Sequence, residues 1–599
     1  MKKYLSRENV TELLILAVIV FFAFFINRDI EIKGLYMDDL YMWSCYGEQS
    51  LLEFAFPIGT STRFRPVYWL MTYLQMAIIG NHISWFVPFN IICNIIVAFT
   101  VYFIGKAIVK NRFLSLAASL CYLSSRFAYY QIGQALGLME TMAIFMALII
   151  LYLLYKYMNM DNLETFKEVR DSSVKTENSR LEILFRNPGE IYYFGALIIY
   201  FLLVFVHERY LSLLPLFYLT LIVKLLRHKK EYKKEYLKEN IRLWVAPVIT
   251  FVVIFIIRKL AIGSAIPAGT GGTEVTETFN IKDAIGYALD QVMYIFGVNA
   301  GPEHLCGLPW DMSPVFIKYL TKLSVLALFI ICGMYAVTML LDLGSKEEGA
   351  KARFCRNLSN SLLFVGFIAL CIACSSVTIR VEMRWIYVSY TAALLFALYM
   401  IREICDIYMK ISADEAEKYK DSENADALKN LNEAERQLYE KEKAGNVFRR
   451  SSLMVTEKWM SPKIISAIIG GIFIFYCVLS ISTNAFYRQY YPKLYFWPDQ
   501  LRMNSLAEET VESHGTEYVI GKDIYILENT YNMSQFYADT FFKTFDKEKK
   551  AEGTKVHFIN NLNEIPVSKR NTEDIIIIRE IPERNAYENI TEKVKEANM

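Results

Sequence analysis

The feature that most limits how this chain can fold is a series of long apolar runs separated by polar segments. A membrane-spanning helix needs about 17–25 mostly apolar residues, and eleven runs come close to or exceed that length. They lie at residues 12–27, 83–105, 113–129, 136–157, 190–206, 209–226, 242–258, 319–342, 359–377, 384–402 and 464–483. We therefore predict an α-helical polytopic membrane protein with about 11 transmembrane helices.

The charges between these runs predict the orientation of the chain. Lys and Arg are enriched in cytoplasmic loops, and they cluster here at 106–112, 224–238 and 346–356. This bias predicts a cytoplasmic N-terminus and an extracytoplasmic C-terminus. The first run follows Lys2, Lys3 and Arg7 and lacks a small-residue cleavage site, which indicates a retained signal anchor. We expect a multi-pass protein of the plasma (cytoplasmic) membrane.

Two polar stretches interrupt or follow the spans. Residues 403–463 carry interspersed charges of both signs, which favour i,i+4 ion pairs and predict a cytoplasmic helical insertion. Residues 484–599 mix helix-like segments with β-rich ones such as DIIIIREI, which predicts a small extracytoplasmic α/β domain. The predicted domains are a transmembrane domain at 1–402 with interfacial helices at 36–80, the insertion, a last span at 464–483, and the α/β domain.

An acidic pair, Asp38-Asp39, follows the first span in a segment rich in aromatic residues and interrupted by Pro57, Gly59 and Pro66. We expect two short interfacial helices there, the second beginning at Pro66, because proline is favoured in the first turn of a helix. A carboxylate in a partly dry cleft can act as a general base. An ordinary helix start, where acids are stabilising, would also explain the pair.

Further ionisable residues are predicted on the same outer face. Such groups at the edge of a helix bundle are costly unless they are paired or line a wet cavity, although any single one could be an interfacial side chain that reaches water. Acids together with arginines suited to a phosphate predict a site that handles phosphate. The candidate binding residues are Arg63, Arg65, His207, Glu208, Arg209, Glu303, His304, Arg380, Glu382 and Arg384.

Several patterns argue against other functions. Gly269–Thr273 is glycine-rich, but no Lys-Ser/Thr follows it, so it is not a nucleotide-binding P-loop. The 10 cysteines lie mostly in apolar runs and lack the spacing of a metal site. The net charge of +2 gives no indication of a nucleic-acid partner, and we predict none.

In this order and on one predicted face, these features resemble those of the C-type membrane glycosyltransferases, which take sugars from polyprenyl-phosphate carriers. The likeness covers about residues 1–400. It rests on Asp38-Asp39, Arg65-Pro66, the segment GNHISWFVPFNIICNIIVAF, His207-Glu208-Arg209 before a Leu-Leu-Pro span, and the Arg, Trp and Tyr around Arg384. Two residues depart from the pattern: several branches carry Asp-Glu as the acidic pair, and a lysine is usual where His207 stands.

The resemblance implies a GT-C-like fold and an inverting hexosyl or pentosyl transfer. The donor would be a polyprenyl-phosphate-linked sugar reached from the membrane lipids, and the acceptor an extracytoplasmic glycan, lipid or protein. Asp38 or Asp39 would be the catalytic base, and an arginine from among Arg65, Arg209, Arg380 and Arg384 would stabilise the departing phosphate. Some relatives use a divalent cation, and the sequence leaves that dependence, like any cofactor, open.

Two functions of other classes stay open beside this one. A transporter or flippase of lipid-linked saccharides would place charges at mid-span and show inverted repeats, whereas no internal repeat is visible and the ionisable clusters lie at span ends. A non-catalytic protein that tethers cell-envelope material through its C-terminal domain would have little need for acids and arginines at one membrane edge.

Overall fold

The computed structural model describes residues 7–59, 63–160, 188–227, 233–268, 279–298, 309–345, 349–377, 382–422, 462–490, 497–546 and 553–598. Within these ranges the chain is mostly helical, and a small sheet lies near its C-terminus. The helices are α1 (Arg7–Ile26), α2 (Asp38–Glu48), α3 (Leu51–Ala55), α4 (Pro66–Ile79), α5 (Phe86–Val109), α6 (Arg112–Ser124), α7 (Arg126–Ile132), α8 (Leu138–Asn159), α9 (Pro188–Val204), α10 (Leu214–Arg227), α11 (Lys233–Glu239), α12 (Ile241–Ile262), α13 (Ile281–Ile295), α14 (Val315–Gly344), α15 (Ala350–Ser376), α16 (Tyr387–Ser422), α17 (Pro462–Tyr490), α18 (Trp497–Ala507), α19 (Gln535–Lys543) and α20 (Thr591–Asn598). The strands are β1 (Asp523–Leu527), β2 (Lys555–Ile559), β3 (Ile575–Ile581) and β4 (Ala586–Asn589).

The predicted class of polytopic helical membrane protein is confirmed. Within the described ranges, nine helices are long and apolar enough to cross a membrane, and the predicted spans at 113–129 and 190–206 correspond to the shorter apolar helices Arg112–Ser124 and Gly189–Val204. Exposed apolar side chains cover the outer faces of these helices, as expected for surfaces that face lipid.

The run at 113–129 is not one continuous helix, which corrects the prediction for that segment. α6 ends at Ser124, Ser125 is extended (φ −60°, ψ 149°), and α7 begins at Arg126. The Ser124 and Ser125 hydroxyls donate to the carbonyls of Cys121 and Tyr122. These local bonds satisfy carbonyls at the helix end, so the chain can turn inside the bundle.

The segment after the first span folds into three short helices, where we expected two. α3 begins at a capping box in which Ser50 and Glu53 satisfy each other's backbone N–H groups. α4 begins at Pro66 as predicted, because the fixed φ of proline suits the first turn. The short 3₁₀ helix Ile83–Trp85 then leads into α5.

The C-terminal α/β domain is built on a four-stranded sheet in the order β2-β1-β3-β4, confirming the predicted fold of this region. β1 pairs in parallel with both β2 and β3, and β4 pairs antiparallel with β3. Residues Ile575–Ile578 of β3 are all buried. A nearly continuous apolar strand is typical of a parallel sheet covered on both faces.

This domain packs against the segment between α1 and α2. Gln500 donates to the Gly34 carbonyl at 2.7 Å, and the Tyr36 hydroxyl donates to Asp499 at 2.9 Å. A Cβ atom on Gly34 would lie 2.6 Å from the Met503 carbonyl oxygen, so only glycine permits this approach. The α/β domain therefore directly holds the segment that leads to the acidic pair.

Candidate active site

One end of the helix bundle contains a cavity of about 510 Å³, within the range of about 300–1,000 Å³ that is usual for small-molecule sites. Its walls come from α2, the start of α4 and the turn before it, the start of α8, the end of α15, the segment after α12, and the 3₁₀ helices Glu208–Leu213 and Met383–Trp385. The ionisable residues that line it are Asp38, Arg63, Arg65, His207, Glu208, Arg209 and Arg384. Seven of the predicted site residues thus share one cavity.

The two acids of the pair have different surroundings. Asp38 is exposed and lines the cavity. Asp39 is buried, and its two carboxylate oxygens accept hydrogen bonds from the backbone N–H groups of Ala135 (3.0 Å) and Leu136 (2.9 Å). Burial raises the pKa of Asp39 to about 7, although these two hydrogen bonds oppose the rise. Asp39 therefore fastens α2 to the turn before α8, and Asp38 is left facing the cavity.

The residue before the pair is strained. Met37 adopts φ 36° at the N-terminal boundary of α2, a conformation that costs a non-glycine residue about 1–3 kcal/mol. The hydrogen bonds of Asp39 lie two residues further along and hold this turn of chain in place. The backbone that presents Asp38 is therefore fixed from both sides, by Asp39 and by the α/β domain.

Glu208 is the centre of a buried ion-pair network. Its Oε2 accepts from Nε of Arg65 at 2.7 Å, and its Oε1 accepts from Nη1 of Arg258 at 3.2 Å and from the Phe64 backbone N–H at 3.3 Å. Glu208 is 5% exposed and Arg258 is fully buried. Charges at such a site are tolerated because they are paired, and the pairing holds Arg65 at the cavity wall.

Two further arginines on the wall have carboxylate partners. Arg209 forms a bidentate pair with Glu140, which is 3% exposed, and it also donates to the Tyr210 hydroxyl at 3.0 Å. Arg384 pairs with Glu382. A bidentate pair fixes the orientation of a guanidinium as well as its position, so the guanidinium of Arg209 in particular is pre-oriented.

Arg63 and His207 give the cavity its electrostatic character. Burial lowers the pKa of Arg63, and the nearby positive charges of Arg65 and Arg384 lower it further. Burial and the same cations also hold the pKa of His207 well below its usual range, so this imidazole is neutral at neutral pH. Its Nδ1 accepts from the Arg209 backbone N–H at 3.3 Å, which leaves Nε2–H as a donor. The cavity thus favours an anion.

A protein-held metal cluster does not fit the carboxylates of this cavity. Glu208, Glu140 and Glu382 are all paired with arginines. Of the two described acids that line the cavity, Asp38 and Glu208, only Asp38 is exposed. In the part of the chain that the structure describes, no group of three His, Cys, Asp or Glu residues could hold a metal ion.

The structure places the remaining predicted residues as follows. Glu382 lies directly behind the wall as the partner of Arg384. Glu303, His304 and Arg380 fall outside the described residues. Asp39 lies beside the cavity but is turned away from it.

Sequence reasoning missed Glu140 and Arg258. Both lie inside apolar helices, and a buried ionisable residue within a span is in itself a signal of function or pairing. Trp69 and Tyr41, which also line the cavity, gave no signal, because aromatic residues are common throughout this chain.

No protein-family model matches the chain, and no curated protein does. Among solved structures, the chain is similar to the oligosaccharyltransferase AglB from Archaeoglobus fulgidus in complex with an inhibitory peptide and a dolichol-phosphate. The identity is 10% and the TM-score 0.39, over 96% of this chain and 69% of that one. A second structure of the Archaeoglobus fulgidus oligosaccharyltransferase, tethered to an acceptor peptide containing the NVT sequon, is 11% identical, with a TM-score of 0.39.

The second match covers 94% of this chain and 65% of the other, so this chain spans about two thirds of the proteins it is similar to. At this identity and TM-score the likeness carries no conclusion about this chain, and no residue role is taken from it.

Proposed function

We propose that this protein is an inverting glycosyltransferase that moves a sugar from a polyprenyl-phosphate carrier to an extracytoplasmic acceptor. The observation that carries this proposal is the placement of Asp38 in one cavity with four arginines, Arg63, Arg65, Arg209 and Arg384. A single exposed acid opposite several fixed cations suits a reaction that removes a proton at one point and releases a phosphate at another.

In the proposed reaction, Asp38 accepts the proton of the acceptor hydroxyl. The acceptor oxygen forms a bond to the anomeric carbon, and the bond from that carbon to the phosphate oxygen breaks on the opposite face. The bonding electrons leave with the polyprenyl phosphate, so its negative charge increases as the configuration inverts. Positioned cations stabilise that charge more strongly in a partly dry site than in water.

The arginines differ in their surroundings and therefore in how each would stabilise the phosphate. Arg65 and Arg209 are held rigidly by Glu208 and Glu140 and so provide donors that need no reorganisation during the reaction. Arg63 carries a positive charge that its cationic neighbours disfavour. An incoming phosphate relieves that repulsion, and His207 adds a neutral N–H donor.

The C-terminal domain is proposed to help in acceptor recognition. Its helix α19 packs on α2, with the rings of Phe536 and Tyr41 6.5 Å apart. Burial raises the pKa of Tyr537, and the charge of Asp38 adds to the rise. An acceptor hydroxyl that reaches Asp38 would pass beside α19. The proposed orientation puts this end of the bundle outside the plasma membrane.

The test is release of polyprenyl phosphate from labelled lipid-phosphate sugars by the purified full-length protein. Asp38→Asn is expected to lower turnover by about 10²–10⁴, with unchanged thermal stability because Asp38 is exposed. The matched control is Asp29→Asn, at an acid whose side chain is 84% exposed near the end of α1, and it is expected to keep full activity.

Two results would overturn the proposal. One is a wild-type protein that consumes none of a panel of hexosyl and pentosyl donors, and the other is an Asp38→Asn variant with wild-type turnover. A flippase would instead move the intact lipid-linked saccharide across vesicles without releasing polyprenyl phosphate, which the same assay separates.

A further inference from the structure

A second cavity lies apart from the one described above and contains a buried arginine. Arg126, at the start of α7, is 7% exposed and lines this cavity with residues of α13, α14, α16 and α17. The cavity measures about 30 Å³ and is partly open. A single water needs at least about 10–15 Å³ by this measure, so there is space for a small group of atoms.

Arg126 differs from the other deeply buried arginines of the described chain. Arg65, Arg209 and Arg258 each have a carboxylate partner. For Arg126, no carboxylate within the described ranges lies within ion-pair distance, and its Nη1 has no hydrogen-bond acceptor. A buried charge without a counter-ion is strongly disfavoured unless something supplies one.

The surroundings of Arg126 hold it without neutralising it. Its guanidinium carbon lies 4.6 Å from the ring centroid of Tyr294 and 4.3 Å from that of Tyr487. Such cation–π contacts fix the guanidinium, but they give Nη1 no oxygen acceptor. The cavity therefore presents a fixed cation whose hydrogen-bonding capacity is not fully used.

A second polar group in the same cavity also lacks a partner. Thr321 of α14 is 2% exposed, lines the cavity, and has a buried hydroxyl without a hydrogen bond to any described residue. Next to it, Gly297 has φ +83°, and a Cβ atom at that position would lie 3.2 Å from Thr321 Cγ2. The backbone conformation that glycine allows keeps this side of the cavity open.

The position of the cavity suggests where a ligand comes from. α7 packs against the 3₁₀ helix Met383–Trp385, which carries Arg384, so both cavities lie at the same end of the bundle. Beside Tyr294 and Thr321, the side chains of Met293 and Leu323 are exposed and apolar, as on a lipid-facing surface. The rim of the cavity therefore adjoins an exposed apolar surface of the kind that faces lipid, at the end of the bundle that also contains the larger cavity.

We propose that this cavity, the Arg126 pocket, binds a phosphate group, carried by a membrane lipid, with Arg126 as counter-ion and the Thr321 hydroxyl as a further donor. The site is separate from the cavity that contains Asp38 and does not depend on the proposed transferase reaction. Free inorganic phosphate has the same chemistry, and the experiment distinguishes the two sources.

The experiment is native mass spectrometry of the detergent-solubilised full chain, titrated separately with phosphatidic acid, phosphatidylcholine and inorganic phosphate. Wild type is expected to retain one more phosphatidic acid molecule per chain than Arg126→Gln. Its affinity for that molecule should be at least about tenfold higher than that of the variant. Arg126→Lys should recover part of the difference. Phosphatidylcholine should show a much smaller one, because its quaternary ammonium group balances the single negative charge of its phosphate. The matched control is Arg28→Gln, since Arg28 also lies over an aromatic ring, at 4.4 Å from Phe25, but on an exposed surface.

Thr321→Val tests the proposal even if Arg126→Gln does not fold. It removes one hydroxyl with little change of shape and should weaken the same binding event by about two- to tenfold. Arg126-dependent binding of inorganic phosphate but not of phosphatidic acid would support the phosphate chemistry and overturn the lipid source. The proposal is overturned if Thr321→Val, or a folded Arg126→Gln, binds phosphatidic acid and inorganic phosphate as well as wild type does. That result would show that the pocket holds water only.

Discussion

Nε of Arg65 lies 2.7 Å from Oε2 of Glu208, and this contact joins the start of α4 to the 3₁₀ turn that follows α9. The other oxygen of Glu208 binds Arg258, which projects from α12 with no exposed surface. One carboxylate thus connects three remote segments of the chain and compensates two buried cations. The geometry of the cavity wall depends on this residue.

Glu208→Gln is expected to destabilise the protein more than a substitution at any exposed residue. Removing one partner of a buried ion pair leaves an uncompensated charge and costs about 3–5 kcal/mol, and here two arginines lose their partner. The measurement is the midpoint of thermal unfolding in detergent. The comparison is Glu31→Gln, whose carboxylate is 62% exposed beside Lys33, and it should change stability by no more than about 1 kcal/mol. Equal midpoints for the two variants would contradict a structural role for the network.

The protonation of Asp39 should make stability depend on pH. Burial raises its pKa to about 7 in the folded protein, whereas an unfolded aspartate titrates near about 3.9. Between these values the folded state holds a proton that the unfolded state releases, so stability falls as pH rises from about 4 to about 7 and is level above that. The contribution is on the order of 4 kcal/mol across the range.

Unfolding midpoints of wild type and Asp39→Asn, compared from pH 5 to pH 8, test this expectation. The substituted asparagine side chain does not titrate and offers only one oxygen to the N–H groups of Ala135 and Leu136. The variant should therefore be less stable than wild type, partly by a nearly constant amount that reflects the lost hydrogen bond. A second part of the difference should shrink as pH rises, because only wild type gains stability from the protonation of Asp39. Asp29→Asn, at an exposed acid that does not contribute to the raised pKa of Asp39, is the control and should keep the wild-type pH dependence. If wild type and Asp39→Asn show parallel pH profiles, the titration of Asp39 has no part in stability.

The class of fold could be predicted from sequence because hydrophobic length and loop charge act locally along the chain. The C-terminal α/β fold was likewise visible in its strand-like segments. The break in the helix at Ser125 could not be predicted, because it depends on hydrogen bonds from serine hydroxyls to carbonyls within an otherwise apolar run. The docking of α19 on α2 was also beyond sequence reasoning, since it joins two helices from nearly opposite ends of the chain.

The candidate site, too, could be predicted only in part from the sequence. The search for ionisable residues at span ends identified the ionisable part of the cavity wall, because the cost of such residues in an apolar setting makes each of them conspicuous. The different surroundings of Asp38 and Asp39 could not be read from the sequence, since adjacent helical residues point about 100° apart and nothing local says which one faces inward. Arg126 lies within the predicted span 113–129 and was passed over because it stands alone there. Only the fold shows that it is buried with an unsatisfied donor.

Arg63→Gln should separate charge stabilisation from folding. Burial and then the neighbouring cations disfavour the charge of Arg63 in the free protein, and together they outweigh the nearby acids. Removal of this charge should therefore leave the unfolding midpoint unchanged or raise it slightly. Loss of a donor to the departing phosphate should lower turnover by about 10²–10³. Turnover of labelled donor and the unfolding midpoint are measured on the same preparations, with Arg28→Gln as an exposed control. A variant that loses stability and activity together would indicate a structural role for Arg63 instead.

Gly34→Ala tests whether the α/β domain holds the acidic helix in position. The added methyl would lie 2.6 Å from the Met503 carbonyl oxygen and from the Phe541 ring. The interface must therefore shift, at a cost of about 1–3 kcal/mol. We expect faster proteolytic release of the C-terminal domain and a lower turnover, because the strained turn at Met37 loses support. The matched control is Gly286→Ala in α13, where a Cβ atom meets nothing within 4 Å and alanine should stabilise the helix by about 0.5–1 kcal/mol. If Gly34→Ala and Gly286→Ala resist protease equally and turn over donor at the same rate, the contact between the domain and this segment does not position Asp38.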